Sequence, residues 1–261
     1  MKSLAVALWV EGLKIYKSRV FYLSMIFFLF IAFMMGLLIF VQVHPEISKK
    51  LGIIGTKALM LRFGDPNWKN YFALLTQTIG AIGLIGYGFV TSWVFGREYS
   101  DKTAKDILAL PVSRSNIVLS KFIVTIIWCI ILSIVLYASA VIFGKITGIS
   151  GWSCQILSKF TETYLLVSIL TMLLCTPVAF FASFGRGYLL PFAFIILTLI
   201  LANFIGFVGL GPYFPWSIPG ILSMPPSEDI HLNIVSYIIL ILTSILGYMG
   251  TLAWWIFADQ K

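Results

Sequence analysis

The chain offers few side chains that are suited to catalysis or metal binding. Its two histidines, His44 and His231, both lie outside the apolar stretches, and two histidines alone make a poor zinc site. Its three cysteines, Cys129, Cys154 and Cys175, form no CxxC pair and no cluster with histidine. We therefore predict neither a metal site nor a disulfide framework.

Sequence signatures of hydrolytic enzymes are missing as well. A nucleotide-binding loop needs the GxxxxGK[ST] spacing, which neither Gly144-Lys145 nor Gly55-Thr56-Lys57 provides. No HExxH or GxSxG motif occurs. We predict a protein that has no catalytic residues and binds no cofactor, so that any energy source must lie in another protein.

The densest group of charged residues lies in residues 96–121. Asp101 is suited to cap the start of a helix, and residues 103–110 are compatible with a short amphipathic helix. Pro111 would end that helix, because the residue before a proline is pushed out of the α region. A serine at 113 or 115 would then cap a new helix that continues into the next apolar stretch.

The same segment is suited to contact another protein. Charges of both signs surround two leucines, Leu108 and Leu110; they are Arg97, Glu98, Asp101, Lys102, Lys105, Asp106 and Arg114. Such a mixture is typical of a helix that docks into a groove through apolar anchors and a polar rim. The alternative is a plain linker at the membrane surface, and the residue types leave both open.

Polar residues inside the apolar stretches are uncharged. Gln77 and Asn203 are the best candidates for contacts with a transported substrate, because a side-chain amide is hard to satisfy within its own helix. Hydrogen bonding between helices is the alternative for each of them. The lack of ionisable residues in these stretches argues against a proton relay or a charged channel, but it is compatible with an amphipathic substrate.

The elements that must position these residues are long apolar helices. Of the 261 residues, 60% are hydrophobic and 11% are charged, whereas a soluble domain carries about 25% charged residues. Six apolar runs are long enough to span a hydrocarbon core, and they are residues 20–43, 71–95, 122–144, 163–184, 188–208 and 234–257. We predict an all-α integral membrane protein with a single transmembrane domain (1–261), whose fourth span is bent by Pro177.

The remaining segments complete the predicted topology. Residues 1–19 are predicted to form an amphipathic interfacial helix, and residues 209–233 to form short outer helices or a re-entrant cap before the last span. With both ends of the chain inside the cell, 11 of the 18 basic residues are cytoplasmic and 7 are outside, as the positive-inside rule favours. The net charge of +8 is thus assigned to topology and lipid contacts, and no nucleic-acid partner is predicted.

A resemblance to a known family rests on residues 95–121. The stretch reads Phe95-Gly96-Arg97-Glu98 … Asp101-Lys102-Thr103 … Leu108-Ala109-Leu110-Pro111-Val112-Ser113-Arg114 … Lys121. It resembles the signature of the membrane subunits of type-two ABC exporters, in which an RE…(D/G)T…LP(V/I)SR…K run follows the second of six spans. Residues 213–219, Tyr-Phe-Pro-Trp-Ser-Ile-Pro, resemble bacitracin and lantibiotic self-protection permeases. Lys102 departs from the family, where small residues are common.

The resemblance implies a mechanism and partners. Two permease chains, identical or homologous, would associate, and each would dock on a separate cytoplasmic ATPase through a coupling helix between spans two and three. Two ATPase copies would bind ATP and Mg²⁺, and their closure would tilt the spans and open a path outward. By position, the coupling residues would be Arg97, Glu98, Asp101, Thr103, Leu108, Leu110, Pro111 and Arg114.

The leading functional prediction is therefore the permease of an exporter in a bacterial plasma membrane. Its substrate would be amphipathic or hydrophobic: a peptide antibiotic, a drug or a lipid. A lipid-modifying intramembrane enzyme is one alternative, but it would need clustered Asp, His or Ser near one interface, and the sequence offers none. A structural or regulatory membrane subunit that transports nothing is the other.

Overall fold

The computed structural model describes residues 2–50, 65–103, 112–224 and 232–258. These residues are almost entirely helical, and their only β-type pairing is an isolated bridge between Asn67 and Ser150. The helices are α1 (Lys2–Tyr16), α2 (Arg19–Val43), α3 (Pro45–Lys50), α4 (Trp68–Ser100), α5 (Arg114–Ile146), α6 (Cys154–Leu173), α7 (Thr176–Phe184), α8 (Leu189–Phe207), α9 (Ile218–Ser223) and α10 (Ile234–Phe257), with 3₁₀ turns at Gly211–Tyr213 and Pro215–Ser217. Leu108, Leu110, Pro111 and His231, together with most of the predicted coupling helix, lie outside the described residues.

Six membrane-capable spans are present in the described part of the chain, as predicted. They are α2, α4, α5, the pair α6–α7, α8 and α10. The helices on either side of the charged segment are longer than the apolar runs: α4 and α5 each have 33 residues, which at 1.5 Å per residue is about 50 Å. Both therefore extend well beyond a hydrocarbon core of about 30 Å.

Side-chain caps determine where several spans begin. The Ser113 side chain accepts a hydrogen bond from the Asn116 amide and starts α5, and the Asn67 side chain does the same for α4 at Asn70. The cap at Ser113 agrees with the prediction. Asp101 does not begin a helix as expected; it follows the last turn of α4, because α4 runs through the charged residues to Ser100.

The fourth span is broken in the middle. Helix α6 ends at Leu173 and α7 begins at Thr176, with Pro177 in its first turn, where the missing proline N–H costs no helical hydrogen bond. The Thr176 hydroxyl donates toward the carbonyl oxygens of Leu173 (2.9 Å) and of Ser244 on α10 (2.8 Å). The predicted bend at Pro177 is thus a full interruption, which α10 stabilises.

The helix bundle has two distinct ends. We call the basal end the one formed by residues 11–18, 94–103, 112–121, 183–188 and 254–258. There Arg114 donates hydrogen bonds to the carbonyls of Trp255 (3.2 Å) and Ile256 (2.9 Å), so the start of α5 and the end of α10 meet at this end. The apical end holds α3, the α5–α6 connection and α9, with the His44 ring 3.2 Å from the Thr147 carbonyl oxygen.

Candidate functional site

A buried ionic network lies at the basal end, beside the charged segment. At its centre is Lys121 on α5, whose side chain is 1% exposed. Its Nζ donates to Glu98 Oε1 on α4 (2.7 Å), to Glu11 Oε2 on α1 (3.3 Å) and to the Val94 carbonyl (3.1 Å). One buried ammonium group therefore joins three helices.

A second lysine completes the network on its outer side. Lys14 Nζ lies 2.6 Å from Glu11 Oε1 and 3.0 Å from Glu98 Oε1. Two carboxylates thus face two ammonium groups, and the formal charges cancel. Because a buried ion pair is costly to break when one partner is removed, at about 3–5 kcal/mol, the network fixes α1 against the basal ends of α4 and α5.

The ionisation of Glu11 follows from its neighbours. Burial by itself disfavours its charged form, but the charges of Lys121 and Lys14 and their hydrogen bonds outweigh burial, so the pKa of Glu11 lies below its ordinary value of 4.5. Glu11 is therefore a carboxylate at neutral pH. One buried acceptor of the network is unpaired: Glu98 Oε2 has no hydrogen-bond partner among the described residues.

The predicted coupling residues within the described ranges have different surroundings. Glu98 is buried (3% exposed) and belongs to the ionic network. Arg97 lies at the surface of the same helix, with Nε 3.3 Å from Asp101 and its guanidinium 4.9 Å from the centre of the Trp93 ring. The Thr103 amide donates to the Glu98 carbonyl (2.9 Å) and ends the turn after α4.

Arg114 is the eighth predicted coupling residue, and it reaches to the far end of the chain. Its two hydrogen bonds to α10, described above, satisfy carbonyls that are left open at a helix C-terminus. Its positive charge is also favourable at that position. The residues on both sides of positions 104–111 are thus tied to other helices of the bundle, Glu98 to α1 and α5, and Arg114 to α10.

The two predicted substrate-path residues line one cavity at the apical half. This cavity of about 400 Å³ is enclosed by α4, α8, α9 and the two 3₁₀ turns. Its lining includes Gln77, Ala81, Asn203, Phe207, Trp216 and Met224. The walls are mainly apolar, and the sequence brings them together because the Pro- and Gly-rich residues 209–220 fold back onto α4 and α8. Cavities of this size and lining are typical of sites for small ligands.

Three polar side chains of the cavity are available to a ligand. The Asn203 amide donates to the Leu199 carbonyl (2.8 Å), which occupies its nitrogen and leaves its oxygen. The buried Trp216 Nε1 has no hydrogen-bond partner among the described residues, and the half-buried Gln77 amide belongs to the same lining. An apolar cavity with a free donor and two amides is suited to a ligand that is mostly apolar and carries some amide or hydroxyl groups.

These features agree with the comparison to known protein families. Residues 7–206 match the family described as ABC-2 family transporter protein. Because this match covers most of the chain, the protein belongs to the ABC-2 family, as its charged segment suggested. It is a multi-pass protein of the bacterial cell membrane and a transport permease, and the family implies partnership with an ATPase subunit.

One curated relative supports the same assignment. The bacitracin transport permease of Bacillus licheniformis is 26% identical over 192 residues, which make up 74% of this chain and 88% of the relative. No solved structure gave a significant match. Bacitracin is named only as the substrate of that relative.

Sequence reasoning missed three members of the ionic network. Glu11 and Lys14 were expected only as part of the interfacial helix of residues 1–19, and Lys121 only as the last residue of the charged segment 96–121. A signal was present, because a lysine at the start of one apolar run and a glutamate at the end of the preceding one are well placed to pair. Glu11, the partner on α1, lies 110 residues away from Lys121, and no pattern in the sequence links these two residues.

Proposed function

We propose that this chain is the permease subunit of an ABC exporter that moves an amphipathic or hydrophobic substrate out of the membrane or the cell. A separate cytoplasmic ATPase supplies the energy, and ATP and Mg²⁺ bind there. Peptide antibiotics are the favoured substrate class, because the curated relative carries bacitracin in its name. Drugs and lipids share the same amphipathic chemistry.

The observation that carries the proposal is the extent of α4. This single helix (Trp68–Ser100) holds Glu98 of the ionic network near its basal end and Gln77 of the cavity in its apical half. Glu98 follows Gln77 by 21 positions, which correspond to about 32 Å of continuous helix. A displacement of its basal end would therefore be carried to the cavity without an intervening hinge.

In the proposed coupling, the ATPase acts on residues 104–111. These residues connect α4 to α5, and the ionic network holds the two helix ends together and to α1. Arg97, Asp101 and Thr103 lie at the basal end of α4 and directly after it, and they would contact the ATPase together with Leu108, Leu110 and Pro111. Glu98 and Arg114 would act from within by holding the flanking helices in position.

The assembly proposed for transport contains two permease chains and two ATPase copies. Two ATPase copies would each dock on one permease, and a second permease, identical or homologous, would face the first. The cavity with Gln77 and Asn203 would then open toward the transport path. Its lack of charged lining residues fits a substrate whose buried portion is neutral.

The test is co-purification followed by an ATPase assay. The full chain is isolated in mild detergent from its own bacterium, and the complex is placed in proteoliposomes, where ATP hydrolysis is measured with and without bacitracin. We expect a nucleotide-binding subunit in the complex and stimulation by the peptide. Absence of such a subunit would contradict the exporter assignment, and a complex that hydrolyses ATP but ignores peptides, drugs and lipids alike would contradict the substrate class.

Two variants sharpen this test. Glu98→Gln keeps the shape of the side chain but removes its charge, and we expect it to reduce stimulation by the substrate while the subunit still assembles. Glu162→Gln makes the same change at an exposed position near the apical end and is expected to behave like the wild type. Equal stimulation in both variants would remove Glu98 from the coupling pathway.

A further inference from the structure

A second cleft opens at the basal end, next to Lys14 of the ionic network and apart from the apical cavity. It has a volume of about 600 Å³ and lies between the last turns of α1, the basal end of α4 and Tyr188 at the start of α8. Its polar lining includes Lys14, Lys17 and Arg97, and its apolar lining includes Val10, Leu13 and Trp93. Arg97 and Asp101 are also proposed contacts of the ATPase, but the transport mechanism gives no role to the rest of this lining.

The cleft carries an excess of positive charge. The charge of Lys14 is balanced by Glu11 and Glu98 within the network. Lys17 is exposed and has no ion-pair partner among the described residues, while Arg97 shares the cleft with a single acid, Asp101. Two cations thus face one carboxylate whose side chain is 56% exposed, which leaves a net attraction for an anion.

The apolar side of the cleft continues onto the outer face of α1. Val10 and Leu13 are partly exposed, and Trp9 and Tyr16 beside them are about two-thirds exposed (69% and 67%). Exposed aromatic and aliphatic residues on an amphipathic helix are typical of a helix that lies in the membrane interface. The cleft therefore presents cations and a hydrocarbon surface at the same depth, next to the first residues of α2.

We propose that this cleft binds an anionic phospholipid, with its phosphate at Lys17 and Arg97 and one acyl chain along Val10 and Leu13. Basic residues beside a membrane surface attract anionic headgroups by about 1 kcal/mol each. The Trp93 ring, already stacked under Arg97, forms the wall between headgroup and chain. An acidic surface of the ATPase would match the charges but would leave the apolar wall without a role.

Trp93 supplies the measurement. The full chain is placed in phosphatidylcholine nanodiscs that contain increasing fractions of phosphatidylglycerol with brominated acyl chains, which quench nearby tryptophans. Subtracting the quenching of the Trp93→Phe variant isolates the signal of Trp93. We expect quenching at low phosphatidylglycerol fractions, weaker quenching by brominated phosphatidylcholine, and about fivefold weaker binding in Lys17→Gln.

Controls distinguish the lipid from other occupants. Lys159→Gln removes an exposed lysine from the apical end and is expected to leave the Trp93 signal unchanged. The proposal would be overturned by equal quenching by both brominated lipids or by an equal loss in Lys17→Gln and Lys159→Gln. A Trp93 emission change with inorganic phosphate alone that matches the one with phosphatidylglycerol would also overturn it. Displacement of the lipid signal by the purified ATPase would assign the cleft to that subunit and would equally overturn it.

Discussion

At the scale of single residues, the position of Lys121 explains why a chain with few charges buries three of them together, with Lys14 partly exposed at their edge. A lone ammonium at this depth would be too costly to desolvate. Glu98 and Glu11 compensate its charge, and Lys14 compensates the second carboxylate. Since such groups can be replaced by apolar ones with little loss of stability, we infer that the network is retained to fix α1 in one arrangement.

The first prediction concerns Lys121→Met. It would leave two carboxylates in the network with only Lys14 to compensate them, and we expect a loss of stability of about 3–5 kcal/mol. The measurement is thermal unfolding of the purified chain in detergent, with Lys159→Met at an exposed position as the matched control. The double variant Lys121→Met/Glu98→Gln should recover part of the loss, and a double variant as unstable as the sum of the singles would contradict a shared network.

The second prediction is a pH dependence that belongs to Glu11. Its pKa is lowered below 4.5 in the folded protein, so its ionised form stabilises the fold above that pH, and this contribution is lost as the pH falls through the folded pKa. The stability difference between the wild type and Glu11→Gln should be constant from about pH 8 to pH 5 and should shrink below about 4.5. A difference that disappears near pH 6 would show that Glu11 is not held by Lys121 and Lys14.

At the scale of elements, the turn between α7 and α8 packs directly on α4. A Cβ atom added at Gly96 would lie 2.8 Å from the Gly187 carbonyl oxygen and 3.1 Å from the Tyr188 ring. Since real Cβ atoms do not approach a backbone oxygen this closely, α4 and the turn can be in contact only when residue 96 is glycine. The contact fixes α8, and with it Asn203, relative to α4.

The third prediction follows from that contact. Gly96→Ala should push the α7–α8 turn away from α4, which we expect to lower the unfolding temperature and to reduce substrate stimulation of the ATPase. Gly12→Ala on α1 is the matched control, because a Cβ there meets no atom within 4 Å and alanine favours a helix by about 1 kcal/mol over glycine. If both variants lost stability equally, the contact at Gly187 would not be the reason.

The spans could be predicted from the sequence because each rests on a local signal. Apolar length identified all six, and the serine at 113 identified the start of α5. The basal end of α4 was placed too early, at residue 95, because the charged residues Arg97 and Glu98 were taken to lie beyond the helix. Charged residues mark where the hydrocarbon core ends, but a helix can continue past them. Glu98 stays inside the bundle because it pairs with Lys121.

The functional sites were predictable to a different extent. Gln77 and Asn203 were chosen separately, for their amides, and the structure brings both to one cavity, which no local pattern in the sequence indicates. The lipid cleft could not be foreseen, since it combines residues 10–18, 93–101 and 188. Contacts between segments this far apart depend on helix packing, which periodicity within one segment does not encode.

At the scale of the whole molecule, the two ends differ in the chemistry they present. The basal end has the ionic network and the lipid cleft, and the apical end has the α9 region and the cavity that opens near it. The prediction that the basal end faces the cytoplasm can be tested on the natural cysteines, because Cys154 is exposed near the apical end whereas Cys129 and Cys175 are buried.

The fourth prediction is therefore a labelling pattern. A membrane-impermeant maleimide added to intact cells should label the wild-type chain at Cys154, and Cys154→Ser should abolish the label. The double variant Cys129→Ser/Cys175→Ser, which keeps Cys154, should be labelled like the wild type. Labelling that requires permeabilised cells would place the apical end in the cytoplasm and reverse the predicted orientation.

The interruption of the fourth span bears on how the chain matures as it is synthesised. The hydroxyl of Thr176 bonds across to Ser244, and a Cβ at Gly247 would lie 2.4 Å from the Pro177 nitrogen. Helix α10 is synthesised after α6 and α7, so the broken backbone near residue 175 lacks this packing partner until about seventy further residues have been added. A nascent chain that stops before α10 would expose this gap to lipid, which would mark unfinished copies for membrane quality control before they meet an ATPase.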